Sequence, residues 1–422
     1  MRVLLTTQPG YGHFRPLLPL ARALVAEGHE VRVGTSASFA SVVEREGLAA
    51  EAVGLNWLHG VESTIPPELR PPPEANTIAT YFAHKFVRMT AERLAADVVT
   101  LSDRWRPDVI VRETTEYGGS LAAQILGLPS AGLQVASPTL MSDDVLAEVA
   151  IALDEIRPRL GLASDPELNA RGDELVICFA PPALHDPAAR LPAGLRSFHP
   201  GSPRESDVLD DDVARLGVER PLVYATLGTV FNDPEYQSEF FPAIQAGLFD
   251  ARVDLLMAVG PYVDPTSLGN QRPGVEVLPY VPQRAVLDRS AVVICHGGYG
   301  TVLDAIDTSV PLVVVPFGAD QYVNAASVQR LGIGIVVEEE PPSSQTIRDA
   351  VDALLHADSP HRQRLQMLRE EWCALPGPDK AVHALMALAE EGGSDSPTDF
   401  VHDVGDVGRP ARARRADDIA GH

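Results

Sequence analysis

The sequence predicts an α/β protein that contains two doubly wound, largely parallel β-sheets. Short apolar runs rich in β-branched residues alternate with segments of helical periodicity. This alternation stops near residue 200 and restarts near residue 219. The length, 422 residues, is typical of two domains rather than one. We therefore expect one domain over 1–200, a linker over 201–218 and a second domain over 219–375.

The first half begins with a strand, a glycine-rich turn and a helix. A β-rich run at Arg2–Thr7 precedes the turn, and apolar residues at helical spacing follow over Phe14–Ala26, with Gly28 ending the helix. Between Asn56 and Lys85 the chain is rich in proline, which predicts a long irregular excursion of the kind that often carries function. Further strands are expected at His29–Thr35, Asp108–Glu113, Ser130–Ala136 and Glu174–Phe179, with helices at Ser38–Glu46, Thr80–Trp105 and Gly119–Leu126.

The second half repeats the β-α order. Strands are expected at Leu222–Thr226, Val253–Val259, Val275–Leu278, Ala291–Cys295, Leu312–Pro316 and Ile333–Val337. Helices are expected at Glu235–Phe249, Gln283–Asp288, Tyr299–Asp307, Tyr322–Arg330, Gln345–His356 and His361–Cys373. We expect a last helix within 376–391, and one option is that it packs back on the first domain. The composition of 392–422 predicts a disordered tail.

Composition excludes several classes of function. With 58 acidic and 34 basic residues the formal charge is −24, which is the wrong sign for neutralising nucleic-acid phosphates or anionic membranes. The three cysteines lie far apart in the sequence, which does not suit a disulfide framework and favours a reducing cytoplasm. The N-terminus lacks a secretory pattern, and no apolar run approaches the ~18 residues that span a bilayer.

The first glycine-rich turn presents a histidine. Gly10 to Pro16 half-matches the dinucleotide-binding G-x-G-x-x-G, but Pro16 replaces the third glycine and no acidic residue closes the second strand, so the match is weak. What remains is His13 at the carboxyl end of the first strand, the edge that faces ligands in open α/β sheets. His13 is either a general base or a helix cap.

A histidine base needs a carboxylate that fixes its tautomer. Glu113 ends a strand at the same edge and is the first candidate, and Glu116 competes with it. The alternative for Glu113 is an ordinary surface acid in an acidic chain.

The strongest local signal lies in the second half. His296-Gly297-Gly298-Tyr299-Gly300-Thr301 joins a strand to a helix, where backbone N–H groups and the helix dipole favour phosphate. A purely structural turn is the less favoured alternative. Gly228 and Thr229 close another strand at this edge. The acidic run Asp210–Asp212 fits a solvated linker better than a metal site, and we predict no metal site.

These residues resemble a known family. The six residues from His296 to Thr301 resemble the H-G-G-x-G-T signature of bacterial natural-product glycosyltransferases of the inverting, UGT-like superfamily, which have the GT-B fold, with two Rossmann-like domains facing a cleft. The N-terminal run through Gly10-Tyr11-Gly12-His13 and Pro16–Leu20 is similar to that superfamily's N-terminal motif. The resemblance covers about residues 1–390.

The resemblance implies a role for each matching residue. His13 would be the catalytic base, with Glu113 where the family usually has aspartate. Asp320 and Gln321 would bind donor sugar hydroxyls. The residues implied for the nucleotide and diphosphate are Gly228, Thr229, Tyr280, Val281, Gln283, His296, Gly298, Gly300, Thr301 and Asp304. Candidate acceptor residues, each also explicable as simple packing, are Gly12, Trp57, Phe82, Phe86 and Tyr117.

The implied activity is the inverting, metal-independent transfer of a sugar to a hydroxyl of an apolar secondary-metabolite aglycone in antibiotic biosynthesis. The co-substrate would be a dTDP- or UDP-linked sugar, and no cofactor is expected. The anion site of so acidic a chain should rest on backbone N–H groups and His296. A sugar-nucleotide-binding auxiliary protein and a nucleotide-sugar epimerase are the alternatives. The oligomeric state stays open, with a homodimer among the options.

Overall fold

The computed structural model describes residues 1–169, 174–201, 209–228, 234–260, 263–269, 272–339, 341–356 and 358–394. It contains two parallel β-sheets, which confirms the predicted fold class. No helix in these ranges is long and apolar enough to cross a bilayer.

The first sheet has seven parallel strands in the order β3-β2-β1-β4-β5-β6-β7. The strands are β1 (Arg2–Thr6), β2 (Glu30–Thr35), β3 (Ala49–Ala52), β4 (Val109–Glu113), β5 (Ser130–Leu133), β6 (Val176–Cys178) and β7 (Leu195–Ser197). β3 and β7 were not predicted. Both lie at edges of the sheet, and the alanine-rich β3 lacks the β-branched residues that mark strands in a sequence.

The second sheet has six parallel strands in the order β10-β9-β8-β11-β12-β13. The strands are β8 (Leu222–Thr226), β9 (Asp254–Ala258), β10 (Val275–Leu278), β11 (Ser290–Cys295), β12 (Leu312–Val314) and β13 (Gly334–Val336). All six were predicted; β8 and β10 have the predicted ends, and the other four differ by one or two residues.

Helices cover both faces of each sheet. Those of the first half are α1 (Tyr11–Phe14), α2 (Leu18–Ala26), α3 (Ala40–Arg45), α4 (Ile78–Ala83), α5 (Ala91–Arg104), α6 (Gly118–Leu126) and α7 (Asp143–Ile156). The helices that follow in the chain are α8 (Asp211–Ala214), α9 (Pro234–Gly247), α10 (Gln283–Leu287), α11 (Tyr299–Thr308), α12 (Gln321–Leu331), α13 (Ser344–Leu355), α14 (Pro360–Cys373) and α15 (Pro378–Ser394). The shorter 3₁₀ segments include Arg15–Leu17 and Glu62–Thr64.

The cores follow from strand alternation. In β1, Val3 and Leu5 face one apolar layer and Leu4 faces the other, and all three are fully buried. In β8, Val223 and Tyr224 likewise face opposite layers. Strands buried on both faces carry continuous apolar runs, which is why the sequence showed them clearly.

The prediction of a single helix over Thr80–Trp105 is wrong. The segment consists of α4, a π-helical stretch at His84–Arg88, and α5. Thr90 stands at the break, where its hydroxyl donates to the carbonyl of Phe86 at 2.9 Å. Such back-bonding competes with the helical ladder.

The segment expected as a linker contains one helical turn. Asp210 is the N-cap of α8, and Asp211 and Asp212 lie in its first turn, where carboxylates complement the helix dipole. Asp212 is ion-paired with Arg215. The acidic run is therefore the start of a helical turn.

The last helix packs on the first half of the molecule. Ala381, Val382 and Leu385 of α15 are fully buried in the apolar layer that contains Leu17 and Leu20. The chain therefore crosses between the halves twice. Residues 395–422, most of the expected tail, lie outside the described residues.

Candidate active site

A cleft of about 2060 Å³ lies between the carboxyl edges of the two sheets, and residues of both halves line it. In the first sheet the strand order reverses between β1 and β4, and in the second between β8 and β11. Loops that follow such switch points diverge and leave a crevice for ligands. The turn after β1 carries His13, the end of β4 carries Glu113, and the loop after β11 begins with His296.

His13 and Glu113 form a hydrogen-bonded pair. His13 Nδ1 lies 2.9 Å from Glu113 Oε1, and the Glu113 carboxylate is fully buried. The backbone N–H of Thr115 donates to Glu113 Oε2 at 2.6 Å, and the Thr115 hydroxyl lies 2.8–2.9 Å from both carboxylate oxygens. Glutamate therefore reaches the imidazole because Thr115 holds its longer side chain in place.

Glu116 does not pair with His13. Its carboxyl contacts Thr6 Oγ1 at 2.5 Å and the backbone N–H groups of Gly118 and Gly119. Burial raises the pKa of Glu116 to about 7. The hydrogen bonds that its carboxyl accepts from Thr6 and Gly119 lower the pKa and offset only part of this rise. Glu116 thus links β1 to the start of α6, away from the imidazole.

A second histidine packs against the first. The ring of His59 meets that of His13 edge to face, with centroids 4.7 Å apart, and stacks on Phe86 at 5.6 Å. Burial and the nearby charges of His13 and Lys85 lower the pKa of His59 well below its usual value. His59 is therefore neutral at pH 7 and forms a side wall for the His13 ring.

The loop after β11 holds His296 between glycines. A Cβ at Gly298 would lie 2.5 Å from His296 Nε2, and one at Gly228 would lie 2.7 Å from Cε1. Gly228 also has a φ of 70°, in the left-handed region that favours glycine. Burial lowers the pKa of His296 to about 4, so at pH 7 this ring is neutral.

Helix α11 begins at this loop and points its N-terminus into the cleft. Gly298 is its N-cap, and Gly300 and Thr301 of the first turn line the cleft. N–H groups in a helix's first turn have no acceptor within the helix and carry the positive end of its dipole. The arrangement suits an anion.

Two further residues predicted for the donor form a hydrogen-bonded pair, with Asp304 in α11 and Gln283 in α10. Gln283 Nε2 donates to Asp304 Oδ2 at 2.7 Å, and both residues line the cleft. Burial raises the pKa of Asp304, partly offset by Arg15 and Arg284. Tyr280 is exposed, and its hydroxyl lies 3.5 Å from Arg15 Nη2 of the opposite half.

Asp320 and Gln321 stand at the start of α12. Gln321 is fully buried, and its Oε1 accepts from the backbone N–H of Phe317 and Gly318, at 2.8 and 3.2 Å. Its Nε2 has no hydrogen-bond partner within the described residues. Burial raises the pKa of Asp320, and the hydrogen bond that its Oδ2 accepts from Asn324 Nδ2 at 2.9 Å partly offsets this.

Some predicted site residues do not line the cleft. Trp57 and Tyr117 are about 99% buried in an apolar core and Val281 is buried in another, so these three predicted residues do not line the cleft. Their aromatic or apolar character reflects packing. Thr229 lies outside the described residues. The cleft-lining predictions are Gly12, His13, Phe82, Phe86, Gly228, Tyr280, Gln283, His296, Gly298, Gly300, Thr301, Asp304, Asp320 and Gln321.

One group of potential metal ligands comes together in the described part of the chain. Atoms of His199, Asp307 and Cys373 lie within 4.8 Å of one another. Arg284 is ion-paired with Asp307, and Arg369 Nε lies 3.9 Å from it. These two guanidinium groups compete with any cation for the carboxylate.

Several cleft residues were not predicted from the sequence, among them Arg15, His59, Lys85 and Thr115. The Arg15 guanidinium lies 3.5 Å from the Tyr280 hydroxyl, so the cleft contains a cation that was not expected from the sequence. Its position two residues after His13 was the available signal. His59 and Lys85 lie in or beside the proline-rich excursion, where no periodicity indicates which side chains turn inward.

Comparison with known proteins agrees with this geometry. Residues 248–388 match the family model "Erythromycin biosynthesis protein CIII-like, C-terminal domain". The chain is 31% identical to the L-demethylnoviosyl transferase of Streptomyces niveus over 399 residues, which cover 92% of this chain and 98% of the relative. It is 28% identical to the TDP-daunosamine transferase DnrS of Streptomyces peucetius over 432 residues, 92% of this chain and 97% of the relative.

The fold comparison is equally extensive. The crystal structure of the glycosyltransferase SnogD from Streptomyces nogalater superposes with a TM-score of 0.77 at 25% identity, covering 92% of this chain and 99% of that one. The two facing sheets are thus the GT-B arrangement. The chain belongs to the glycosyltransferase family of antibiotic biosynthesis that includes the L-demethylnoviosyl transferase.

Proposed function

We propose that the protein transfers a sugar from a thymidine-diphosphate-linked donor to a hydroxyl of a secondary-metabolite aglycone, with inversion at the anomeric carbon. One observation carries this proposal. The His13–Glu113 pair stands on one side of the cleft and the N-terminus of α11 on the other. A base and an anion-stabilising site that face each other suit a displacement between them.

The base step uses the His13 ring. Glu113 accepts a hydrogen bond from Nδ1, which leaves Nε2 free of a proton and able to take one from the acceptor hydroxyl. Glu113 then stabilises the imidazolium that forms. The acceptor oxygen attacks the anomeric carbon as its O–H bond breaks.

The donor step depends on α11. As the bond from the anomeric carbon to the phosphate oxygen breaks, the electron pair stays on the diphosphate. The N–H groups of the first turn, with neutral His296 as a further hydrogen-bonding group, stabilise that charge. Arg15 approaches from the opposite half. Because these fixed groups supply the stabilisation, we propose that the reaction needs no metal ion.

The donor sugar belongs beside α12. The Nε2 of buried Gln321, which has no partner in the part of the chain that the structure describes, and the carboxyl of Asp320 offer a donor and an acceptor for sugar hydroxyls. Asp304 and Gln283 would meet the nucleoside. A thymidine diphosphate deoxysugar is favoured over a UDP-sugar because a 28% identical relative is named a TDP-daunosamine transferase.

The decisive test is mass spectrometry of reactions that pair dTDP- and UDP-sugars with a panel of hydroxylated aglycones. We expect a product heavier by one glycosyl residue, with the anomeric configuration opposite to the donor's by NMR. His13→Ala should abolish transfer and leave dTDP binding intact by calorimetry. Full activity in this variant overturns the base assignment, and a retained anomeric configuration overturns inversion.

Two controls separate the alternatives. Conversion of the sugar nucleotide without an acceptor indicates an epimerase, and tight dTDP binding without turnover indicates an auxiliary binding protein. A chelator should leave the rate unchanged. A loss of rate that Mg²⁺ restores contradicts metal independence.

A further inference from the structure

We infer that the acceptor is a hydroxylated, flat aglycone that also carries an acidic oxygen, a carboxylate or an ionised phenol, and that Lys85 binds this group. The inference rests on the proposed function and adds the chemical class of the acceptor. It starts from an amine placed in the acceptor half of the cleft.

Lys85 lines the cleft although it is 94% buried. Its Nζ lies 2.9 Å from the hydroxyl of Tyr81 and 3.5 Å from Glu62 Oε1. An ammonium has three N–H donors, and within the described residues these two contacts account for two of them. One donor of an almost buried cation is left for a ligand.

Within the described residues, the protein offers the Lys85 ammonium one carboxylate, Glu62, and two aromatic rings, with Nζ 5.1 Å from the ring centroid of Tyr81 and 5.8 Å from that of Trp57. Glu62 lies in a one-turn 3₁₀ segment, its side chain is 60% exposed, and water screens a pair of that kind. Buried cations usually have close, hydrogen-bonded counter-charges. Aromatic rings carry no formal charge, so a nearly buried amine whose carboxylate partner is exposed to water indicates a site for an anion.

The local backbone turns Lys85 and Phe86 toward the cleft. Both belong to the π-helical stretch His84–Arg88, which interrupts the run from α4 to α5. An extra residue in a helical turn rotates the side chains that follow, and such insertions are frequent at functional sites.

Aromatic rings connect the amine to the catalytic pair. Phe86, the neighbour of Lys85 in the chain, stacks on His59, and His59 contacts His13. Phe82 packs on Phe86 with centroids 4.8 Å apart, and both line the cleft. A flat ring system along this wall would present a hydroxyl to His13 and an acidic group to Lys85.

Binding of matched probes tests the inference without sugar transfer. Calorimetry would compare hydroxybenzoic, hydroxynaphthoic and hydroxyanthraquinone-carboxylic acids with their methyl esters. We expect at least one acid to bind about tenfold or more tightly than its ester. Lys85→Met should weaken that acid about 10- to 100-fold, as charge-assisted hydrogen bonds do, and leave the ester within about threefold.

Two variants control the experiment. Lys85→Arg keeps the charge and should keep part of the preference. Lys380→Met removes the chain's other lysine, which is exposed on α15, and should change neither affinity. Thermal unfolding verifies that each variant is folded. If Lys85→Met does not fold, the acid–ester ratio in Lys85→Arg and the salt dependence of acid binding decide the question.

The outcomes distinguish the two proposals. Equal binding of acid and ester, a preference that survives Lys85→Met, or failure of every acid to bind overturns the inference, whatever the transfer assay shows. Lys85-dependent acid binding without transfer from any sugar nucleotide supports the anion site and contradicts the proposed function. With transfer, Lys85→Met should raise KM for the acid and leave kcat unchanged, because the contact is equal in ground and transition states.

Discussion

At the scale of single residues, Glu113 ends β4 and Glu116 lies three residues further along the chain. Their side chains have different environments, and we therefore expect different roles for them. Glu113 contacts the imidazole and is held by Thr115. Glu116 contacts a threonine hydroxyl and two backbone N–H groups. The sequence predicted a carboxylate partner for His13, but the choice between the two depends on side-chain direction, which strand position alone does not determine.

Glu113→Gln should lower kcat about 10²- to 10⁴-fold, because an amide stabilises the imidazolium poorly and can select the wrong tautomer of His13. The measurement is steady-state kinetics with the acceptor found by the panel. The affinity for dTDP, measured by calorimetry, should stay the same. Glu116→Gln is the matched control and should retain kcat within about threefold. Equal losses in the two variants would contradict the pairing.

Glu116 makes stability depend on pH. Its pKa is raised from 4.5 to about 7, so between these values the folded protein binds more protons than the unfolded chain. The contribution of this group to stability is therefore lost as pH rises from about 4.5 to 7. Glu116→Gln removes the ionisation. Its Nε2 can donate to Thr6 Oγ1 while its Oε1 keeps accepting from the N–H groups of Gly118 and Gly119, and only the bond from Gly119 to the second oxygen is lost.

We expect the unfolding free energy of Glu116→Gln, relative to the wild type, to rise by up to about 3 kcal/mol from pH 4.5 to pH 8. Urea titrations of both proteins across this range measure the difference. Because His296 and other groups titrate equally in both proteins, their effects cancel. A difference independent of pH would show that Glu116 ionises normally in the folded state.

At the scale of elements, the loop between β11 and α11 depends on its glycines for shape. A Cβ at Gly298 would collide with the ring of His296, whereas one at Gly300 would meet nothing within 4 Å. The two positions are close in sequence, and the H-G-G-x-G-T pattern does not tell which glycine is needed for space and which for the approach of a ligand.

Gly298→Ala should displace His296, weaken dTDP binding about tenfold or more, and destabilise the fold by about 1–3 kcal/mol through steric overlap. Gly300→Ala is the steric control. Alanine in a helix is favoured by about 0.5–1 kcal/mol over glycine, so the thermal stability of Gly300→Ala should equal or exceed that of the wild type. Differential scanning fluorimetry measures the thermal stability of both variants, and calorimetry measures their affinity for dTDP. Identical stabilities in both variants would contradict the crowding argument.

Sequence prediction succeeds for strands that are buried on both faces. Core strands such as β8 and β11 were found because both faces are buried and their apolar runs are continuous. The helix break at Thr90 was missed because it depends on a hydroxyl that also receives a bond from Gln8 Nε2 at 3.3 Å, more than eighty residues away. The acceptor residues were only partly found, since Phe82 and Phe86 line the cleft whereas Trp57, equally aromatic in the sequence, does not.

At the scale of the whole molecule, α15 fastens the end of the chain to its beginning. Leu385 is fully buried against the first half. Leu385→Ala should lower the unfolding free energy by about 2–5 kcal/mol, the usual cost of such a cavity. Lys380→Ala, on the same helix and exposed, should change it by less than about 0.5 kcal/mol. Chemical denaturation measures both, and a similar small effect in both would show that α15 contributes little.

The two crossings between the halves lie side by side. The backbone N–H of His199 donates to the carbonyl of Pro376 at 2.9 Å, and Trp372 Nε1 donates to the carbonyl of Phe198 at 3.1 Å. A chimera that exchanges the donor half therefore requires two junctions, near residues 200 and 377. With a single junction the hybrid would receive a foreign α15 on its native α2, and a mispacked surface could be mistaken for incompatibility between a donor sugar and an acceptor.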